Sequence, residues 1–318
     1  MHHVQGSQLV IPLTIFLQVQ PLKWLLPLKW RRGKDAPFGI CDWHAVILNG
    51  IMYVGSEDRC SVLQYNLRSG EWSVIPGFLS GCTMTSLNGQ LVAVGHSADH
   101  YSDQIRVWDS ASGEWGYPYP HMPNGRAHSA AVVYQNYLIA ACGDWEVDQI
   151  EDCGCTDTVE VLDSSSGRWY SAQPVPLEGP VMSSAVVGDH WYLLFDLDFE
   201  PDSVIFSAHL PTLISSATSA AQTNTTSIWH ELPTPPVDLP TLLALQSHLL
   251  LVGGQGLLQK LHRYDPQAKE WRECGQLPVG MGGLSCAVLP SGELMVVGGF
   301  VKGVRGRSKQ TWIGKFDA

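Results

Sequence analysis

From residue 43 onward the chain pairs short apolar runs across turn formers, and the pairing recurs six times. Residues 43–48 and 51–55 flank Asn49-Gly50, and 83–87 and 90–95 flank Asn88-Gly89. Residues 128–134 and 137–143 flank Gln135-Asn136, and 183–187 and 190–195 flank Gly188-Asp189. The last two pairs are 242–245 with 249–254 and 284–289 with 293–299. Asn-Gly between apolar runs predicts a two-residue β-hairpin, because both residues accept the positive φ of a primed turn. Each pair is read as strands A and B of one unit.

A loop and a third strand, C, follow each hairpin. Strand C ends in a second recurring reversal: Asn66-Leu-Arg-Ser-Gly-Glu-Trp72, Asp109-Ser-Ala-Ser-Gly-Glu-Trp115, Asp163-Ser-Ser-Ser-Gly-Arg-Trp169 and Asp265-Pro-Gln-Ala-Lys-Glu-Trp271. The leading Asp or Asn bonds its own backbone ahead of the turn, Gly closes it, and the tryptophan opens strand D. The fourth unit supplies 203–209 as C and 229–233 as D, with 211–227, rich in Ser, Thr and Ala, expected as an inserted flexible loop. Trp72 to Trp115 spans 43 residues, Trp115 to Trp169 spans 54 and Trp229 to Trp271 spans 42. Such a period implies a propeller, solenoid or array. Unit six ends at 311–316 with no D strand of its own. Residues 28–30 are expected to fill that place, because closing a ring removes two open sheet edges.

The repeats resemble those of the kelch family. Unit five carries the fullest match: Gly253-Gly254 after strand B, Tyr264-Asp265 in C, Trp271 opening D, then Leu277-Pro278. Unit two matches with Gly95, Trp108-Asp109, Trp115 and Met122-Pro123, and Arg126-Ala-His128 resembles the Arg-x-His that opens the next repeat. The layout is similar to the six-unit kelch domains of invertebrate multidomain proteins. Unit four departs most, with Phe195-Asp196 in place of Gly-Gly. The resemblance implies an all-β, six-bladed propeller of four-stranded antiparallel blades, and a scaffold or substrate-recognition module. The expected organisation is an irregular extension over 1–27 and a propeller over 28–318.

Composition fits that reading. Of 318 residues 45% are hydrophobic and 15% charged, with 31 Gly, 20 Pro and 12 Trp, a mix suited to buried strands and tight turns. The net charge of −11 disfavours nucleic acid and anionic membranes. The eight cysteines form no C-x-x-C pair, and scattered thiols in strand-like runs suit a reducing, cytoplasmic setting. Residues 9–17 are apolar, but too short to span a bilayer and without a signal peptide's basic start.

Recurrence decides how the candidate chemistry is read. The tryptophans at 72, 115, 169, 229 and 271 hold one repeat position, so they are assigned to packing. Trp145 lies outside the pattern among acidic neighbours and is a surface candidate. The histidines lack paired spacing, Cys142 with Cys153-Gly-Cys155 lacks a fourth zinc ligand at fixed spacing, and no metal or cofactor is expected. With no nucleophile–base motif to nominate, an interaction module is favoured, and a propeller enzyme acting on a small molecule or carbohydrate is the alternative.

Antiparallel strands put the B–C and D–A loops on one face of the disc. The B–C loops of units one to four hold 14 of the 30 acids, among them Asp103, Asp148 and Asp198, against the single base Arg59. In unit six the loop is reversed, with Lys302, Arg305, Arg307 and Lys309 and no acid. The expected partner is a protein with a basic segment for the acidic arc, with Tyr101 and Trp145 as aromatic anchors and Arg305 and Arg307 as the basic contacts.

Overall fold

The structure, a computed structural model, describes residues 28–41, 44–56, 60–77, 81–95, 103–146, 153–196, 203–219, 227–256 and 259–316. Of Trp145, Glu146 and Cys153 it describes the backbone alone. The first described element, β1 (Leu28–Arg32), belongs to the last blade. Blade one is β2 (Ala45–Leu48), β3 (Ile51–Ser56), β4 (Ser61–Asn66) and β5 (Trp72–Pro76). Blade two is β6 (Thr83–Leu87), β7 (Gln90–Val94), β8 (Ile105–Asp109) and β9 (Glu114–Gly116). Blade three runs β10 (Ala130–Tyr134), β11 (Tyr137–Ala141), a side hairpin of β12 (Asp144–Glu146) and β13 (Cys153–Cys155), then β14 (Val159–Asp163) and β15 (Arg168–Ala172). Blade four has β16 (Val181–Val187), β17 (His190–Phe195), β18 (Val204–His209), helix α1 (Leu210–Thr218) and β19 (Trp229–Glu231). Blade five is β20 (Thr241–Leu245), β21 (His248–Val252), β22 (Lys260–Asp265) and β23 (Glu270–Gln276). The chain closes with β24 (Met281–Gly282), β25 (Ser285–Val288), β26 (Leu294–Val297), β27 (Phe300–Val301) and β28 (Thr311–Phe316).

Each blade is a four-stranded antiparallel sheet in the order A-B-C-D, and blade six reads β25-β26-β28-β1. The six A strands touch one another in cyclic order, β25 meeting β2, so the sheets form a closed six-bladed β-propeller. The expected closure is present. Strand β1 pairs with β28 from Leu28 opposite Phe316 to Arg32 opposite Trp312.

The tryptophans explain how blades hold together. Each D-strand indole donates its Nε1–H to a backbone carbonyl at the outer end of the preceding blade. Trp72 bonds Lys34 at 2.8 Å, Trp115 Pro76 at 3.2 Å, Trp169 Pro120 at 3.3 Å, Trp229 Gln173 at 3.1 Å and Trp271 Pro233 at 2.8 Å. Trp30 on β1 makes the sixth such bond, to Gln276 at 2.8 Å, and so holds the D-strand place of blade six. Apolar side chains pack in six clusters, each between two adjacent blades. On β3, Met52 and Val54 face blade six while Tyr53 faces blade two. Both faces of every sheet are therefore covered, which is why the runs are apolar throughout instead of alternating.

The turns form as their residues dictate. Asn49 and Gly50 stand at φ 51° and 77°, and Asn88 and Gly89 at 52° and 75°. In the C–D turns Asp109 Oδ1 accepts from Ala111 N at 2.9 Å and Asp163 Oδ1 from Ser165 N at 2.9 Å. Those amides hold both carboxyls below the usual carboxylate range.

Residues 211–227 differ from the flexible loop expected of them. Their first half belongs to α1, which packs on β15 and β18. Leu210, Leu213 and Ile214 lie at i, i+3 and i+4 and are buried in the cluster between blades three and four. Pro211, in the first turn of the helix, lacks only an amide hydrogen that has no partner there. Burial of one apolar stripe outweighs the modest propensity of Ser and Thr.

Candidate functional site

The B–C and D–A loops meet over the inner strands on one face. Their junction is set by close backbone approach. A Cβ on Gly253 would stand 2.5 Å from Met281 O, and one on Gly254 2.8 Å from Asp238 O. The first glycine of the pair thus abuts the next blade's D–A loop and the second its own. In blade three Cys142 takes the first place with a non-glycine φ of 57°. It is fully buried, and burial pushes its thiol up to about 12.

Two polar constellations lie beneath and beside this junction in blade three. Arg126 and Glu160 are buried and paired, with Nη2 to Oε2 at 2.8 Å. Arg126 Nη1 also donates to the carbonyls of Cys142 and Thr158 at 3.2 and 3.1 Å, and Asn124 Nδ2 donates to Glu160 Oε1 at 2.6 Å. Burial lowers the Arg126 guanidinium, and Glu160 opposes that shift. The pair straps both ends of the blade-three B–C segment to its D–A loop. Above it, His128 Nδ1 lies 3.0 Å from Asp144 Oδ1, both side chains part exposed. His128 has φ 47°, with its amide bonded to Gly81 O and its carbonyl to Val181 N, so the loops of three units fix it. Sequence reading singled out Arg126 and His128 only as repeat features. Nothing in one sequence marks Glu160 or Asp144 as their partners, because those contacts span 34 and 16 residues.

Blade six carries the other built feature. Strand β27 pairs with β24 and bridges Arg307, making a hairpin whose base is held by Ser308 N to Gly299 O at 2.7 Å and Lys302 N to Gly280 O at 2.9 Å. Gly299 N and Ile40 N lock the same base, at 2.8 Å to Ile40 O and 3.0 Å to Ser308 O. Lys302, Arg305, Arg307 and Lys309 project as exposed residues, with Phe300 and Val304 each 43% exposed among them.

The sequence candidates are therefore placed unevenly. Arg305 and Arg307 come together on this hairpin. Asp103 is in blade two, its carboxylate 3.0 Å from His121 Nδ1, and blade one separates it from the basic hairpin in the ring. Trp145 sits on β12 opposite Gly154, and its side chain lies outside the described residues. Tyr101, Asp148 and Asp198 also lie outside them. Cys142 is a free, buried thiol, whereas Cys155 is exposed. Among the described residues no group of three or more His, Cys, Asp or Glu could hold a metal, and no helix is long and apolar enough to cross a membrane.

Known structures share the architecture. One is described as "Structure of YjhT": it superposes with a TM-score of 0.67 at 13% identity, covering 88% of this chain and 95% of that one. At that identity the likeness shows the fold alone. It is one of 543 matching chains, and a fold so widely used does not select a function. No family model matches the sequence, and no curated protein matches it.

Proposed function

We propose that this chain is a kelch-type propeller serving as a protein-interaction module, a scaffold or recognition domain that binds its partner through the B–C and D–A loop face. The observation that carries this reading is the contrast between repeat and loop. Repeated tryptophans, turn carboxylates and paired glycines are taken up by contacts inside the ring. The B–C segments of blades three and six leave the repeat and add strand pairs of their own, and that of blade six holds charge outward. Variable loops on a rigid scaffold are a usual site of recognition. In this reading Asp103, Asp148 and Asp198, with Tyr101 and Trp145 as anchors, receive a basic segment of a cytoplasmic protein.

One observation favours a second reading, a propeller enzyme acting on a small molecule or carbohydrate. The His128–Asp144 pair is part exposed on the same face, and a carboxylate-held imidazole is suited to general acid–base chemistry. Capture on immobilised chain separates the two. Proteins enriched by the native chain should be lost with Asp103→Lys plus Arg305→Glu, and kept with Glu114→Lys plus Lys269→Glu on the opposite face. No such face-dependent capture, together with carbohydrate turnover abolished by His128→Asn, would replace the module with the enzyme.

A further inference from the structure

Charge is distributed among the blades very unevenly. Residues 28–41 and 281–316, which build blade six and its flanking loops, contain Lys29, Arg31, Arg32, Lys34, Lys302, Arg305, Arg307, Lys309 and Lys315. These nine of the chain's 19 bases stand with two acids, Asp35 and Glu293, while 28 acids and ten bases occupy the rest. A chain of net charge −11 thus carries one strongly cationic sector.

Within that sector the bases differ in what holds them. Arg31 pairs with Glu293, Arg32 with Asp35 and Lys34 with Glu71. Lys302, Arg305 and Lys309 make no ion pair among the described residues. Their backbone is nevertheless fixed. The hairpin is tied at Gly299, Lys302, Val304 and Ser308, and Ala36 N donates to Lys309 O at 2.8 Å. Lost side-chain and loop entropy is a main cost of association, so a pinned loop with unneutralised cations is prepared for binding.

We infer that the blade-six hairpin, Phe300 to Lys309, docks a short acidic protein segment that also carries an apolar side chain. This deepens the interaction-module reading and rests on it. Charge complementarity selects the acidic character of the segment. Phe300 and Val304, each 43% exposed between the cations, select a peptide over a bare polyanion, since they offer apolar contact that a phosphate backbone does not use. The narrowness of the sector selects a short segment. A nucleic acid long enough to release several counterions would run off blade six onto the acid-rich remainder of the disc. The four cations and two apolar side chains form a centre of contact about one hairpin wide, with rim charges that steer encounter.

Fluorescence anisotropy on the full chain tests the inference. The probe is a short labelled peptide of glutamates around a central Leu-Phe pair, compared with its glutamine counterpart and with labelled oligo-dT. The acidic peptide should bind, and weaken as salt shortens the Debye length below about 8 Å. The triple reversal Lys302→Glu, Arg305→Glu, Lys309→Glu should cost more than about tenfold in Kd. Lys29→Glu with Lys315→Glu, at the other end of the same blade, makes the same kind of charge change away from the hairpin and should cost less than about twofold. Val304→Ser should cost a few fold. If the triple reversal lowers the melting temperature, the neutral set Lys302→Gln, Arg305→Gln, Lys309→Gln supplies the readout, with a loss of about fivefold expected. Equal loss in the hairpin and Lys29/Lys315 variants, absence of peptide binding, or preference for oligo-dT would each overturn the inference. Face-dependent capture of a partner that survives the triple reversal would overturn it while leaving the interaction module standing.

Discussion

Buried charge and buried thiols set the behaviour of individual residues. Arg126 and Glu160 form a buried ion pair braced by Asn124 and Thr158, with Arg126 Nε and Glu160 Oε2 left without hydrogen bonds among the described residues, so removing one partner strands the other's charge in a dry site. Glu160→Ala should destabilise by about 3–5 kcal/mol in urea unfolding, whereas Arg126→Met with Glu160→Leu should recover most of that loss. The thiols respond to base. Burial pushes Cys142, Cys274 and Cys286 each from 9.0 to about 12. An acid whose native pKa is raised ionises first in the unfolded chain. Stability is therefore intact below pH 9 and declines from about 9 toward 12, by up to ~1.4 kcal/mol per pH unit for each thiol. Denaturation midpoints measured across that window should fall, and Cys286→Ala should make the fall shallower.

Turns and the inserted helix belong to the scale of elements. Three C–D turns place Gly70, Gly113 and Gly167 at φ 70–74°, and blade five puts Lys269 there at φ 53°. Among the described residues the exposed Lys269 side chain makes no hydrogen bond or ion pair that would offset the left-handed backbone. Lys269→Gly should raise stability by up to ~1 kcal/mol in thermal melts, the strain relieved exceeding the entropy that glycine adds to the unfolded chain. Helix α1 is a packed element, so Leu213→Ala should cost about 2–4 kcal/mol by the same measurement. A loop with no tertiary role would show almost no change.

At the scale of the molecule, the decisive feature is that one blade is assembled from both described ends. Strand β1 covers the outer edge of β28, and Trp30 supplies the sixth interblade indole bond. Trp30→Ala should cost about 3 kcal/mol, and deletion of residues 1–34 should abolish a single cooperative transition, because an open ring exposes β28 and one interblade cluster. An unchanged melting temperature after that deletion would contradict the role given to β1.

Much of the fold was legible in the sequence because its signals are local and repeated. Asn49-Gly50 and Asn88-Gly89 specify their turns through φ, Asp109 and Asp163 bond amides two residues on, and Trp72 through Trp271 mark every D strand but one. Even β1 could be placed, since a closed ring leaves one vacancy and residues 28–30 were the run available to fill it. Helix α1 was missed although Leu210, Leu213 and Ile214 carry the right spacing, because so short a stripe is stabilised by β15 and β18 and has little stability alone. For the site, sequence alone determined that acids and bases segregate among the B–C loops. Only the tertiary structure decided that the Lys302–Lys309 segment is a pinned hairpin with Phe300 and Val304 exposed, that Asp144 holds His128, and that Glu160 neutralises Arg126. Those outcomes depend on which backbone groups of distant units meet. A ring brings together residues that no local pattern relates.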